Sequence, residues 1–200
     1  MDNKRELTRR FARHANWYIL FVQTLKEQDV RLRLTAALPA DQYVVFLPTK
    51  VFAKKKDGER MYVRKPIFAG YVFVAAEQDE SAVFAAIDPL VRRDDRVYRF
   101  LSEVRTITDE DGKDRLHWHI RLPDQDKLLL DTLLDGDYNI PAFDAIRVGD
   151  RIELAPGHIL EGFANNIVLK SVNRHRGTGI IEFDLFGKTR REEVALNVTG

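Results

Sequence analysis

The chain has 200 residues, 44% hydrophobic and 32% charged, which suits one or two packed domains and argues against a disordered chain. Its 32 basic and 31 acidic residues leave a formal charge of +1, so nucleic-acid contact, if made, must come from local patches rather than from the whole molecule. There is no cysteine, which excludes disulfides, thiolate zinc sites and cysteine nucleophiles and fits a reducing cytoplasm. No apolar run is long enough to span a bilayer, and Met1–Arg10 lacks the apolar centre of a secretory signal.

Residues 1–15 carry Lys4, Arg5, Arg9, Arg10 and Arg13 against Asp2 and Glu6. They read as a frayed basic extension or short helix, with an arm that touches nucleic acid as the alternative. Trp17–Thr24 predicts a first strand. Lys26–Leu38, with Val30, Leu32, Leu34 and Leu38 apolar and Pro39 closing it, predicts a helix. Tyr43–Pro48 predicts a second strand. Between Val51 and Val63 lies Asp57-Gly58, a hairpin signal flanked by β-type residues. Pro66 cannot donate to a ladder and so marks a strand entrance, and Gly70 permits close backbone approach. Tyr71–Ala75 is apolar throughout its first four residues and predicts a strand buried on both faces. Phe68 is large, apolar and ahead of that strand.

Asp79 caps an expected helix over Glu80–Ile87, with Val83, Phe84 and Ile87 on one face. Val97–Leu101 predicts another strand. Ser102–His117 contains Asp111-Gly112, a second hairpin tip. Asp124 caps a last helix with an apolar stripe of Leu128, Leu129, Leu130, Leu133 and Leu134. This order predicts an α+β fold in which helices flank an antiparallel sheet. The turn-rich 135–145 stretch reads as a linker. From Ile146 onward, short strands at Arg151–Leu154, Ile167–Val172, Gly179–Leu185 and Glu193–Val198 predict a small all-β barrel. The expected divisions are a basic extension at 1–15, a first domain at 16–134, the linker, and a barrel domain at 146–200.

No catalytic constellation emerges, and no cofactor is implied. His117 and His119 would share one strand face and could begin a metal site, but no third ligand stands at compatible spacing. No phosphate loop or nucleophile elbow is present. Asp94-Asp95 among Arg92, Arg93 and Arg96 reads as surface ion pairing. Basic residues stand out more. From Lys50 to Pro66 there are seven (Lys50, Lys54, Lys55, Lys56, Arg60, Arg64, Lys65) against two acids. On a hairpin such charges project towards phosphates, the alternative being lysines that keep an edge strand soluble. Arg92, Arg93, Arg96 and Arg99 could extend that face. Arg174, His175 and Arg176 form a second basic segment with no acid among its neighbours, otherwise readable as a charged barrel loop.

Several segments resemble one family. Pro66-Ile67-Phe68-Ala69-Gly70-Tyr71-Val72-Phe73-Val74 is similar to the P-L-F-P-G-Y-V-F-V signature of NusG transcription elongation factors. Trp17-Tyr18-Ile19-Leu20-Phe21-Val22-Gln23-Thr24 resembles the family's opening W-Y-V-L-x-V-x-T/S, and Phe46-Leu47-Pro48-Thr49-Lys50 its entry to a basic hairpin. Val148 to Val198 resembles its KOW barrel, with Asn165 standing where a glycine is usual. Asn173-Arg174-His175-Arg176 resembles specialised paralogues of the LoaP, UpxY and RfaH kind. The resemblance implies an N-terminal NGN domain that grips the β′ clamp helices of RNA polymerase through Trp17, Phe68, Gly70 and Tyr71, with Phe68 the exposed anchor. Trp17 and Tyr71 are equally readable as core. It further implies a cytoplasmic, monomeric antitermination factor rather than an enzyme, touching nascent RNA or non-template or upstream DNA. A ribosomal protein or termination factor would bind its KOW barrel. The alternatives are a housekeeping NusG and a KOW-containing RNA- or ribosome-associated protein without polymerase contact.

Overall fold

The structure is a computed structural model and describes residues 16–56, 59–109, 111–148, 151–155, 167–173 and 175–199. The basic extension at 1–15, the Asp57-Gly58 tip, Asn165 and Arg174 lie outside the described residues, as do the side chains of Lys55, Lys56 and Arg60. The elements up to the middle of the chain are β1 (Asn16–Val22), α1 (Glu27–Ala37), β2 (Tyr43–Phe46), β3 (Thr49–Lys56), β4 (Glu59–Pro66), β5 (Tyr71–Ala76), α2 (Glu80–Val91) and β6 (Val97–Phe100). There follow β7 (Glu103–Thr108), β8 (Asp114–His119), α3 (Asp124–Leu133), β9 (Asn139–Ile140), β10 (Phe143–Val148), β11 (Arg151–Leu154), β12 (Ile167–Asn173), β13 (Thr178–Leu185) and β14 (Lys188–Thr199). The fold is α+β, as the order of apolar patterns predicts. The chain forms two compact units: one from the chain up to Leu47 with Phe68–Lys127, the other from Pro48–Ile67 with everything from Leu128.

The first unit is built on a four-stranded antiparallel sheet in the order β2-β5-β1-β6. Strand periodicity divides β1 cleanly between two faces. Tyr18, Leu20 and Val22 join Val72 and Val74 of β5 in a core with Val30 and Leu34 of α1 and Val83 and Ile87 of α2. Trp17, Ile19 and Phe21 point the other way. Val72, Phe73, Val74 and Ala75 are fully buried, so the run without a polar residue is the strand covered on both faces.

Helix α1 ends before Pro39, where Leu38 is already extended. Helix α2 begins at the expected cap: Asp79 Oδ1 accepts the Ala82 N–H at 2.9 Å. It runs on past Ile87 to Val91, with Pro89 inside it. The Asp111-Gly112 signal is a hairpin tip joining β7 to β8. Gly112 has φ +73, and the Asp109 carboxylate accepts the N–H groups of Asp111 and Lys113.

In the second unit, β3 and β4 pair from Thr49↔Pro66 to Lys56↔Glu59, and β9 adds to β3 in parallel. The remaining strands form a five-stranded sheet in the order β11-β10-β14-β13-β12. Its β13–β14 connection is a two-residue turn at Phe186 and Gly187, both with positive φ, the form that suits strand twist. Phe143, Ala145, Ile181, Leu185, Ala195 and Leu196 are buried there.

The stretch read as a linker opens on an ordered turn. The Asp135 carboxylate accepts the N–H groups of Asp137 at 2.9 Å and Asn139 at 3.0 Å, and Asn139 and Ile140 are buried as β9. The hairpin is fastened to β14 by a Lys50–Glu192 ion pair of 2.6 Å and a Tyr62 hydroxyl bond to Asn197 of 3.4 Å.

Candidate functional site

The side of the first sheet carrying Trp17, Ile19 and Phe21 is aromatic. At one end Trp17 stacks edge-on against Phe46, ring centres 5.0 Å apart, and both pack on Phe73. Phe68 lies 5.5 Å from Phe73. All four rings are buried, Phe68 at 7% exposure and Trp17 at 2%. The exposed anchor expected at Phe68 is therefore a core side chain. The reason lies in the turn that follows it: Gly70 adopts φ +80 and brings Phe68 back over Phe73.

Gly70 is itself buried and is held from both sides. Its carbonyl accepts the Val22 N–H at 2.8 Å, and its N–H donates to the Glu27 carboxylate at 2.6 Å. A Cβ there would lie 3.3 Å from Val22 O. Glu27, itself buried, thus caps the turn that introduces β5, a role no local sequence signal discloses. Gly70→Ala is expected to lose about 1–2 kcal/mol, because it forces an L side chain into left-handed backbone against close neighbours. Urea unfolding checks this.

At the other end the aromatic surface emerges. Phe21 lies 5.5 Å from Tyr71 and 5.1 Å from Tyr98, ring centre to ring centre. Phe21 and Tyr71 are half-buried, and Tyr98 is 55% exposed. A register shift creates this patch. β1 and β6 pair at Phe21↔Arg99 and then at Val22↔Val97, leaving Tyr98 as the extra residue of a bulge. A bulge breaks the in–out alternation, so both Tyr98 and Arg99 are exposed between the buried Val97 and Phe100. Sequence reasoning misses Phe21 and Tyr98 because the even–odd pattern carries no mark of a bulge.

The basic residues separate into groups. By register Lys50, Lys54 and Lys65 fall on one face of the hairpin, and Arg64, opposite Val51, falls on the other. Lys50 is a correction to the expected phosphate-facing set: its ammonium is half-buried against Glu192. Lys54 is exposed, Lys65 sits 4.0 Å above the Phe52 ring, and Arg64 meets Asp137 at 3.5 Å with both side chains mostly exposed. Arg92 is exposed and bonded to Asp88 at 2.7 Å, and Arg93 is exposed. His175 and Arg176 are exposed near the β12–β13 turn, where Asn173 Oδ1 accepts the Arg176 N–H.

Of the two acids beside the arginines, Asp95 is exposed as expected, and Asp94 is ion-paired but differs in its placement. Asp94 is buried rather than superficial. Its carboxylate takes two bonds from Arg96, at 2.7 and 2.9 Å, and one ion pair from Arg33 of α1 at 2.8 Å. The Arg96 hydrogen bonds hold its carboxyl below the ordinary value. His117 and His119 share a strand face with ring centres 4.6 Å apart, and His119 Nδ1 lies 3.4 Å from Glu80. Among the described residues no group of three or more His, Asp or Glu is placed to hold a metal, and no helix is long and apolar enough to cross a membrane.

One unit is a helix-backed antiparallel sheet with an emergent aromatic patch and the other is a hairpin with a five-stranded sheet, which defines an α+β protein built largely of β-structure. Residues 15–114, half of the chain, match the family model described as "Transcription termination factor nusG". The chain belongs to the NusG family of transcription factors. A solved structure titled "Domain interaction in Thermotoga maritima NusG" is similar over 90% of this chain and 93% of that one, at 14% identity and a TM-score of 0.47. No curated protein matches the chain.

Proposed function

We propose that this chain is a specialised NusG-type elongation factor that docks on the clamp helices of RNA polymerase and suppresses pausing or termination. Membership of the NusG family is the observation that carries this reading. The docking surface is the patch of Phe21, Tyr71 and Tyr98, next to the turn at Gly70. Aromatic side chains on a rigid sheet lose little entropy on binding and suit a helix laid across them. Suppression of pausing follows if the protein binds the closed clamp better than the open one, because a ligand shifts an equilibrium only by its differential affinity. The exposed cations Lys54, Arg64, Lys65, Arg93 and Arg176 supply contact with nearby DNA or nascent RNA.

The test is polymerase pull-down and run-off transcription past a terminator. Phe21→Ala with Tyr98→Ala is expected to lose polymerase while the protein stays folded, and retention of full binding overturns the docking surface. Nucleic-acid affinity is expected to fall linearly with salt on a logarithmic plot. Charge reversal at Lys54, Arg64 and Lys65 should reduce the slope by roughly 0.7–0.9 for each phosphate no longer neutralised. An unchanged slope removes the hairpin from the nucleic-acid surface.

A further inference from the structure

The turn between β1 and α1 is held at both ends. Gln23 donates its N–H to the Arg96 carbonyl at 2.7 Å, and Lys26 closes the turn by donating to the Gln23 carbonyl at 3.0 Å. Just beyond, the Glu27 carboxylate takes the Gly70 N–H at 2.6 Å. Between these ties the chain reverses with Leu25 as the third residue of the turn, at φ +70. This is the type II form, whose third position is left-handed and is normally filled by glycine or asparagine. A leucine there brings its Cβ close to the following carbonyl oxygen, a conformation that persists only because the hydrogen bonds on either side impose it.

Burial does not offset this strain. The Leu25 side chain is 89% exposed, the highest value for a large apolar residue among those described. A single exposed leucine is ordinary. One that is exposed and also forced into left-handed backbone is not, because asparagine at the same place would remove both penalties at once.

The turn lies at the end of the first sheet where the aromatic patch emerges. A Cβ at Gly70 would stand 3.4 Å from the Phe21 ring and 3.4 Å from the Thr24 hydroxyl, so Phe21 and the residue before Leu25 border the same small space. Gly70 leads directly into Tyr71, and Arg96, which holds Gln23, enters β6 just ahead of Tyr98. Leu25 is the apolar member of an otherwise polar turn, Gln23-Thr24-Leu25-Lys26.

We infer that Leu25 is a binding anchor, presented on a fixed turn beside Phe21, Tyr71 and Tyr98, that inserts between side chains of the polymerase helices. This rests on the docking reading above and deepens it by adding a contact outside the aromatic patch. A helical surface suits such a knob, because its neighbouring side chains frame holes the size of one residue. The turn is ordered before binding, so little conformational entropy is lost when the leucine is covered.

Two substitutions in the full chain separate side chain from backbone, read by urea unfolding and by affinity for purified core RNA polymerase. Leu25→Asn relieves the strain and removes the apolar side chain. It is expected to raise the urea midpoint while weakening polymerase binding roughly tenfold, the loss of one modest anchor. Leu25→Ala keeps an ordinary L side chain in the left-handed turn. It should weaken binding by a similar factor with no rise in the midpoint. Phe21→Ala with Tyr98→Ala is the reference. If that pair loses polymerase while both Leu25 variants bind as the parent does, docking stands and the anchor falls; if the parent itself does not bind polymerase, both fall. Weakened binding in Leu25→Asn but not in Leu25→Ala overturns the inference, since the backbone and not the side chain would then be responsible. A lower midpoint for Leu25→Asn overturns it too, since the leucine would then be packing within the fold.

Discussion

Replacing Phe68 with alanine is expected to destabilise the first unit by about 3–5 kcal/mol, the usual loss for truncating a buried aromatic ring. The ring is 7% exposed and packs on Phe73, which in turn contacts Phe46 and Trp17, so the cavity opens inside a linked aromatic cluster. Chemical denaturation should show a lower midpoint. A variant as stable as the parent would mean that the ring is not packed as described. Used to test the proposed polymerase docking, the same substitution would confound two effects. Loss of polymerase binding by Phe68→Ala reports unfolding as readily as a missing contact. Tyr98→Ala, at an exposed position on the bulge, reads binding without that complication.

The second large effect belongs to Asp94. Asp94→Asn is expected to lose about 2–3 kcal/mol, because Arg96 and Arg33 both converge on a carboxylate that is itself almost fully enclosed. The partners are partly solvated, which keeps the loss below that of a fully buried pair. The effect also has a pH signature. The carboxyl is held below its ordinary 3.8 in the folded state, so its stabilisation is complete above that value. It is lost as pH falls from there through the lowered folded value. Thermal unfolding of the parent should decline through this acid range, and Asp94→Asn should decline less. Parallel curves would remove Asp94 from the acid response.

What the sequence discloses and what it hides divide along a physical line. Local rules are legible: Asp79 as a cap, Asp111-Gly112 as a hairpin tip, and Tyr71–Ala76 as a strand covered on both sides. Each rests on backbone preference or on periodicity within one element. Phe68, Asp94 and Lys50 are misjudged from sequence because their partners are distant or lie across a turn. Phe68 needs Phe73 beneath it, Asp94 needs Arg33 from another helix, and Lys50 needs Glu192 from the final strand. A large apolar residue outside a strand, or a charge among charges, looks the same in sequence whether it is covered or open. The emergent patch is hidden for a different reason. It depends on one unpaired residue in β6, and a bulge moves side chains to a new face without altering composition.

The fastening of the hairpin to β14 bears on how the molecule could be dissected. A truncated chain ending near residue 134 would retain the whole span matched by the family, 15–114, yet would discard β9 and Glu192, two supports of the segment 48–67. Homology and foldability thus draw their borders in different places. Fragments cut near residue 134 would leave Lys50 without its counter-charge and β3 without its parallel neighbour, and any weakness they showed in binding would belong to the cut.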